Sequence, residues 1–298
     1  MSGGTGTIGT AVTAELRSRG MTVRILTRRP REAHHVAWNP DEGMLDPREL
    51  NGSDAVINLP GAPIDGRWTS ARRARIRDSR VRSTELLART VLRLDTPPRV
   101  FISASAINFY PIDTGSEYDE SGPSGEGFLA SVCRDWEGAA RVLEDSPVRL
   151  AVLRIGVVLS AAGGVVAKLR PIFRKGAGGP VGSGRQRMSW IVDSDLAAIC
   201  ATALADERYT GPINAVAPRP ITNAAFARAF GRVLKRPAVL PAPAFALRLI
   251  YGQMAEETVL ADNAVVPGKL LAWDFPYRYP ELEPALRRIL SEDRGNST

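Results

Sequence analysis

The chain has 298 residues, with 39 basic and 32 acidic side chains and a formal net charge of +7. That length suits two domains, or one large domain with an appendage. Its composition, 44% hydrophobic and 24% charged, is that of a globular protein and excludes disorder over the whole chain. Cys133 and Cys200 are the only cysteines, which excludes a disulfide scaffold.

Lysine stands only at Lys168, Lys175, Lys235 and Lys269, so 35 of the positive charges are arginine. Arginine forks match phosphate, so the excess reads either as anionic-ligand binding or as a bias on solvated faces. The second suits most of them. No charged n-region or apolar h-region follows Met1, and the apolar stretches are interrupted within about 12 residues, too short to span a bilayer. A soluble cytoplasmic protein is expected, without membrane or nucleic-acid partners.

In chain order, strand signals alternate with helix signals. Val23–Leu26, Ala55–Leu59, Arg99–Ser103 and Leu150–Ile155 are nearly continuous apolar runs, as strands buried on both faces should be. Ile8, Val12 and Leu16 mark a helical stripe between them. Leu86, Leu87, Val91 and Leu94 mark a second, and Trp136, Ala139, Ala140 and Leu143 a third. This alternation predicts an α/β fold with a doubly wound parallel sheet. From Gly176 to Gly184 glycine and proline predict a loop. Ser189–Asp193 predicts a short strand, and Asp195 a cap for a helix over Leu196–Leu204. Prolines punctuate Pro237–Pro243. The expected division is a nucleotide-binding domain over 1–235, with 165–195 on the substrate side. A small, mainly helical C-terminal region over 236–290 and a polar tail over 291–298 complete it.

Gly3, Gly6 and Gly9 form Gly-x-x-Gly-x-x-Gly. The first glycine permits a tight strand-to-helix turn. The second lets the backbone approach a pyrophosphate, and the third lets helix and sheet pack closely. The helix N-terminus then offers free N–H groups to the anion. Only Met1 and Ser2 precede Gly3, so the first strand is expected to be truncated. The second strand ends at Thr27-Arg28-Arg29, where an acidic residue would accept the ribose 2′-OH of NAD. Arginine there instead suits the 2′-phosphate, so Arg28 points to NADP(H), against the alternative of a solvated loop arginine.

These residues resemble the short-chain dehydrogenase/reductase superfamily in its extended epimerase/dehydratase branch. More narrowly, the chain is similar to the bacterial "epimerase family" proteins with a small C-terminal domain of unknown function. The stretches that carry the likeness include Gly3–Gly9, Ile57–Ile64, Arg67-Trp68-Thr69, Asp78–Val81, Ser103–Ala106, Asp135-Trp136-Glu137, Leu153–Leu159 and Gly178–Gln186. The resemblance implies a Rossmann-type fold. It implies cofactor contacts from Gly3, Thr5, Gly6, Thr7 and Ile8, and from Leu59, Pro60 and Gly61 near the ribose. Ser105 takes the place of the branch's active-site hydroxyl, or simply satisfies strand-end backbone groups.

The superfamily's Tyr-x-x-x-Lys pair is absent. In one register Leu129 and Cys133 occupy its two places; one turn later Cys133 and Glu137 do. The possible substitutes are Tyr110, Cys133 and Glu137, each with a structural alternative; Arg80, where the resemblance places an Asn at the back of the site, is a separate active-site candidate. Asp113, Glu117, Asp119 and Glu120 line a loop read as largely solvated. Arg185 and Gln186 are expected on the substrate side. His34 and His35 show no metal-ligand spacing, and no metal is expected. Two functions follow. One is an NADP(H)-dependent oxidoreductase or epimerase acting on a small polar substrate. The other is an NADP(H)-binding sensor or partner protein without catalysis.

Overall fold

The apolar runs meet edge to edge in one parallel sheet. The computed structural model describes residues 1–292. Helix α1 (Thr7–Ser18) leads to β1 (Ile25–Thr27), β2 (His35–Asn39) and the two-residue β3 (Met44–Leu45). Then come β4 (Ala55–Asn58), α2 (Ser70–Val91), β5 (Val100–Ala106), α3 (Phe128–Ala140) and β6 (Arg149–Ile155). Beyond these lie β7 (Val157–Ser160), α4 (Gly164–Arg174), β8 (Arg187–Met188), β9 (Trp190–Val192), α5 (Asp193–Ala205) and β10 (Gly211–Ala215). The remainder holds β11 (Ile221–Thr222), α6 (Asn223–Leu234), α7 (Ala244–Tyr251), α8 (Gln253–Glu257), α9 (Gly268–Ala272) and α10 (Leu282–Glu292).

Strand β1 pairs with β2, and β4, β5, β6 and β10 pair in that order, all parallel. The two groups are joined by one residue. Ser2 bridges Leu26 on one side and Asn58 on the other. Its N–H donates to Ile57 O, its carbonyl accepts from Leu59 N, and Met1 O accepts from Leu26 N. A single residue thus joins the two groups, and it lies where the strand order reverses. That reversal is where doubly wound sheets bind their ligands. The Ser2 hydroxyl donates to Asn58 Oδ1 at 2.7 Å, and Asn58 Nδ2 donates to Thr84 Oγ1 at 2.7 Å. A fully buried polar chain therefore ties this joint to α2.

Alternation along the strands splits the core. Ile25, Ile57, Ile102, Leu153 and Ile213 face α1 and α5. Leu26, Val56, Phe101 and Val152 face α2 and α3. A third core gathers α4, α6, β7, β9 and α10 around Phe173, Trp190, Phe230 and Leu286. Among the described residues no helix is long and apolar enough to cross a membrane.

Three readings change. The helix marked by Leu86, Leu87 and Val91 ends before Leu94 and starts as early as Ser70, so that Arg72, Arg73, Arg75, Arg77, Arg80 and Arg82 lie in the same 22-residue helix, α2. Strand β2 lies where no strand signal was read, because its inward residues are only Val36 and Trp38. Asp195 does not cap α5, which begins at Asp193 without a side-chain cap. Instead its carboxylate accepts Arg278 N at 2.9 Å and Tyr279 N at 3.0 Å. Burial pushes the Asp195 carboxyl above the usual range, outweighing those two N–H groups, which lower it. Of the expected tail, Ser291 and Glu292 continue α10, and 293–298 lie outside the described residues.

Asp195 thus fastens the C-terminal segment across a long sequence separation. Asp195→Ala leaves two backbone donors without their acceptor and is expected to cost about 1–3 kcal/mol in urea unfolding. An unchanged midpoint would show that the fastening carries no stability.

Candidate active site

The glycine turn forms the floor of a cleft. Gly3 has φ +70°, and a Cβ there would lie 2.8 Å from Leu59 C, so no other residue fits without strain. A Cβ on Gly9 would lie 2.6 Å from Gly4 Cα. Gly6 differs: a Cβ there would meet only Gly3 O, at 3.4 Å. Gly6 is the N-cap of α1 and offers no side-chain cap, so the first N–H groups of the helix stay open to a ligand. Thr5 and Gly6 are exposed; Thr7 and Ile8 are half-buried.

Two walls rise from this floor. One is Leu59-Pro60-Gly61, touching Gly3 as just described. The other, which the sequence did not single out, is Gly163-Gly164 at the start of α4. A Cβ on Gly163 would lie 2.6 Å from Thr7 Oγ1. Lys168 Nζ on α4 donates to Asp65 Oδ2 at 2.5 Å, linking the two walls. At the end of β1, Arg28 is exposed, 4.0 Å from Asp41 Oδ2, and Arg29 is exposed beside it.

Beneath the cleft lies a buried charged network. Arg154 on β6 donates through Nε to Glu137 Oε1 and through Nη2 to Oε2, both at 2.9 Å. Its Nη1 donates to the Tyr110 hydroxyl at 2.8 Å, which donates in turn to Asn214 Oδ1 at 2.8 Å. Ser105 Oγ donates to Glu137 Oε1 at 2.7 Å. The guanidinium also lies 3.5 Å from the centre of the Phe109 ring. Burial alone would lower the Arg154 pKa, but the bonds and charge of Glu137 raise it overall. Burial likewise raises the Tyr110 phenol, outweighing the Arg154 charge that lowers it. Cys133 sits beside this network with Sγ 3.8 Å from Ala106 O, and burial pushes its thiol up to about 12. A thiol so protonated is a poor nucleophile.

Arg80 stands apart. It is half-buried, it donates to Ala62 O and Ile76 O, and its guanidinium covers Gly61 and lies 5.3 Å from the Trp136 ring centre. No carboxylate pairs with it among the described residues. Burial pulls its pKa below the ordinary guanidinium range, and the nearby Cys133 raises it only in part.

The five candidate catalytic residues thus converge. Ser105, Tyr110 and Glu137 share hydrogen bonds through Arg154; Cys133 and Arg80 flank them. Arg154 and Asn214 are the members not anticipated. An arginine inside the otherwise apolar run Leu150–Ile155 was the available signal, because a buried charge requires a partner.

Other readings are corrected. In the 113–120 loop Asp113, Glu117 and Asp119 are exposed, as expected, and the exception is Glu120, half-buried, which accepts from Asn214 N and Lys269 N; Asp113 also accepts from Asp262 N. Gln186 spends its amide on Val181 O and Val259 O, while Arg185 is exposed. Of the α2 arginines, Arg77 reaches Asp135 on α3 at 2.7 Å and Arg73 reaches Gln253. Glu32, His34 and His35 do bring ligating atoms within 4.8 Å of one another. Arg28, Arg29 and Arg31 surround this partly exposed group in sequence, and their charge disfavours a cation there.

The sequence pattern of the NAD dependent epimerase/dehydratase family matches residues 1–215. The chain belongs to that family. A domain of unknown function, DUF1731, matches residues 242–289. The epimerase family protein Mb2239 of Mycobacterium bovis is 40% identical over 288 residues, covering 96% of this chain and 95% of that protein. The human epimerase family protein SDR39U1 (isoform2), solved with NADPH, is 36% identical with a TM-score of 0.91, over 97% of this chain and 98% of that one. A nucleoside-diphosphate sugar epimerase from Corynebacterium glutamicum is 33% identical with a TM-score of 0.80, over 98% of this chain and 57% of that one. A UDP-N-acetylglucosamine 4-epimerase from Bacillus cereus, 17% identical with a TM-score of 0.78, shares the fold.

The glycines of this family member give a direct test. Gly9→Ala forces backbone apart and is expected to cost about 1–3 kcal/mol or more in thermal unfolding. Gly6→Ala is expected to cost below about 1 kcal/mol, as a change of N-cap residue. Equal costs would contradict the close approach at Gly9.

Proposed function

We propose that the chain binds NADP(H) and works as a reductase on a small polar carbonyl substrate, rather than as an epimerase. The observation that carries this is Arg80, a cation without a carboxylate at the cleft wall, in a site with no available base. The donor set fits the cofactor. The open N–H groups after Gly6 suit a pyrophosphate, and exposed Arg28, with Arg29, suits a 2′-phosphate. The NADPH in the human relative supports this reading.

When bound, NADPH supplies the hydride. The chain's own residues must then meet the negative charge that develops on the substrate oxygen. Alcohol oxidation and epimerisation begin by removing a hydroxyl proton, which needs a base near neutral pH. Tyr110 is buried with a raised pKa, and the Cys133 thiol lies at about 12. Glu137 is committed to Arg154 and Ser105. Carbonyl reduction makes a lighter demand, namely a cation to hold the developing oxyanion and a proton donor. Arg80 provides the first. Water supplies the proton, because the Ser105 proton is held by Glu137.

One observation favours the second reading, a binding protein without turnover. Ser105 is 2% exposed and its proton points to Glu137. The two readings separate on NADPH oxidation against a panel of small carbonyl compounds. The reductase oxidises NADPH with at least one of them, and Arg80→Met abolishes this while leaving NADPH binding intact. Binding with no oxidation across the panel would favour the second reading.

Cofactor choice is tested by nicotinamide fluorescence. Arg28→Ala is expected to weaken NADPH binding roughly tenfold to a hundredfold, as loss of a charged hydrogen bond does, and to leave NADH little changed. A wild-type preference for NADH would contradict the assignment of Arg28.

A further inference from the structure

Neither the cofactor nor the buried network accounts for the position of the basic excess. Between residues 146 and 255 there are 15 lysines and arginines and only four acidic residues, Asp193, Asp195, Asp206 and Glu207. From Arg208 to Ala255 there is no acidic residue at all. The second half of that acid-free run also carries the most exposed apolar surface. Val239, Leu240, Phe245, Leu249 and Ile250 are 55–75% exposed, whereas no other large hydrophobic among the described residues exceeds 50%. All five lie within twelve residues, on α7 and the proline-rich stretch before it.

Helix α7 buries none of its residues. Its sequence, Ala-Phe-Ala-Leu-Arg-Leu-Ile-Tyr, holds one charge, Arg248. Phe245 and Leu249 stand four apart, on one face. The chain holds the segment in place through its backbone. Ala242 N donates to Pro180 O, Ala242 O accepts from Gly182 N, and Arg67 Nη1 donates to Leu249 O. The apolar side chains are therefore presented outward on a fixed support. Cations border them: Lys235 and Arg236 immediately precede the segment and are exposed. Arg236 Nε donates to Arg174 O, which brings exposed Lys175 to the same edge. Ile172, 46% exposed, adds a further apolar side chain from α4.

We propose that this face, α7 with the 235–243 stretch, docks on an anionic membrane surface. Bulky apolar side chains next to lysine and arginine are the features that seat a short amphipathic segment in a bilayer interface. A second copy of the chain is a poorer occupant, because pairing the face with itself would set Lys235 and Arg236 against their own charges, Arg248 being paired with Glu256 at 3.5 Å. Peripheral docking needs no spanning helix, so it revises only the expectation that membranes play no part.

Vesicle sedimentation of the full chain tests this at physiological salt. The chain is expected to sediment with vesicles of mixed phosphatidylglycerol and phosphatidylcholine and to stay in solution with phosphatidylcholine alone. Phe245→Ser with Leu249→Ser, and separately Lys235→Glu with Arg236→Glu, are each expected to weaken sedimentation more than about tenfold. Both sets are exposed, so melting temperatures should stay at the wild-type value. Failure of the wild-type chain to sediment with anionic vesicles would overturn the proposal. So would light scattering that shows a dimer dispersed by Leu249→Ser, which would assign the face to a second copy.

Discussion

An arginine buried on an interior strand carries a heavy desolvation cost unless an anion lies close by. Arg154 on β6 finds that anion in Glu137 on α3, with both guanidinium edges engaged. Removing one partner of such a pair strands the other, at a cost of about 3–5 kcal/mol. The pair therefore fixes the distance between β6 and α3. It also sets the state of everything hydrogen-bonded to it. Ser105 gives its proton to Glu137, and Tyr110 takes one from Arg154 while giving its own to Asn214. Where the sequence lacks Tyr-x-x-x-Lys, the site holds a buried ion pair, and among the described residues no carboxylate pairs with the nearby cation Arg80.

The cofactor side depends on a different constraint, the single residue that joins the two groups of strands. Ser2 must bond to both halves of the sheet at once, and its buried hydroxyl must find Asn58. That bond fixes the position of Gly3 against Leu59, and hence the start of α1. The C-terminal segment is held by the same kind of contact. Glu257 accepts Phe128 N and Leu129 N at the start of α3, and Asp195 accepts Arg278 N and Tyr279 N. Carboxylates on backbone N–H groups, rather than a large apolar seam alone, fasten the last third of the chain to the sheet.

The parallel sheet and its main helices were legible because continuous apolar runs and helical stripes are local signals. The glycine spacing was legible for the same reason, since it falls within nine residues, although only Gly3 and Gly9 answer a close steric approach. Strand β2 was not, since Val36 and Trp38 alone carry its inward face. Asp195 reads locally as a cap, because the backbone N–H groups that donate to it lie over 80 residues away. At the site, Ser105, Tyr110, Cys133, Glu137 and Arg80 could each be singled out by residue type and spacing. Their union through Arg154 could not, because it joins β5, β6 and α3, which only the fold brings together. Charge followed the same pattern. The count of arginines was plain, but their segregation from acidic residues around α7 gains meaning only once exposure is known.

The buried Arg154–Glu137 pair organises the site. A double-mutant cycle on folding free energy, with Arg154→Met, Glu137→Gln and both together, measures it most directly. Each single change should be strongly destabilising. The double should cost less than the sum of the singles by at least about 2 kcal/mol, because it strands no charge. Additive costs would mean that the two residues act independently, and that the network beneath the cleft has another organiser.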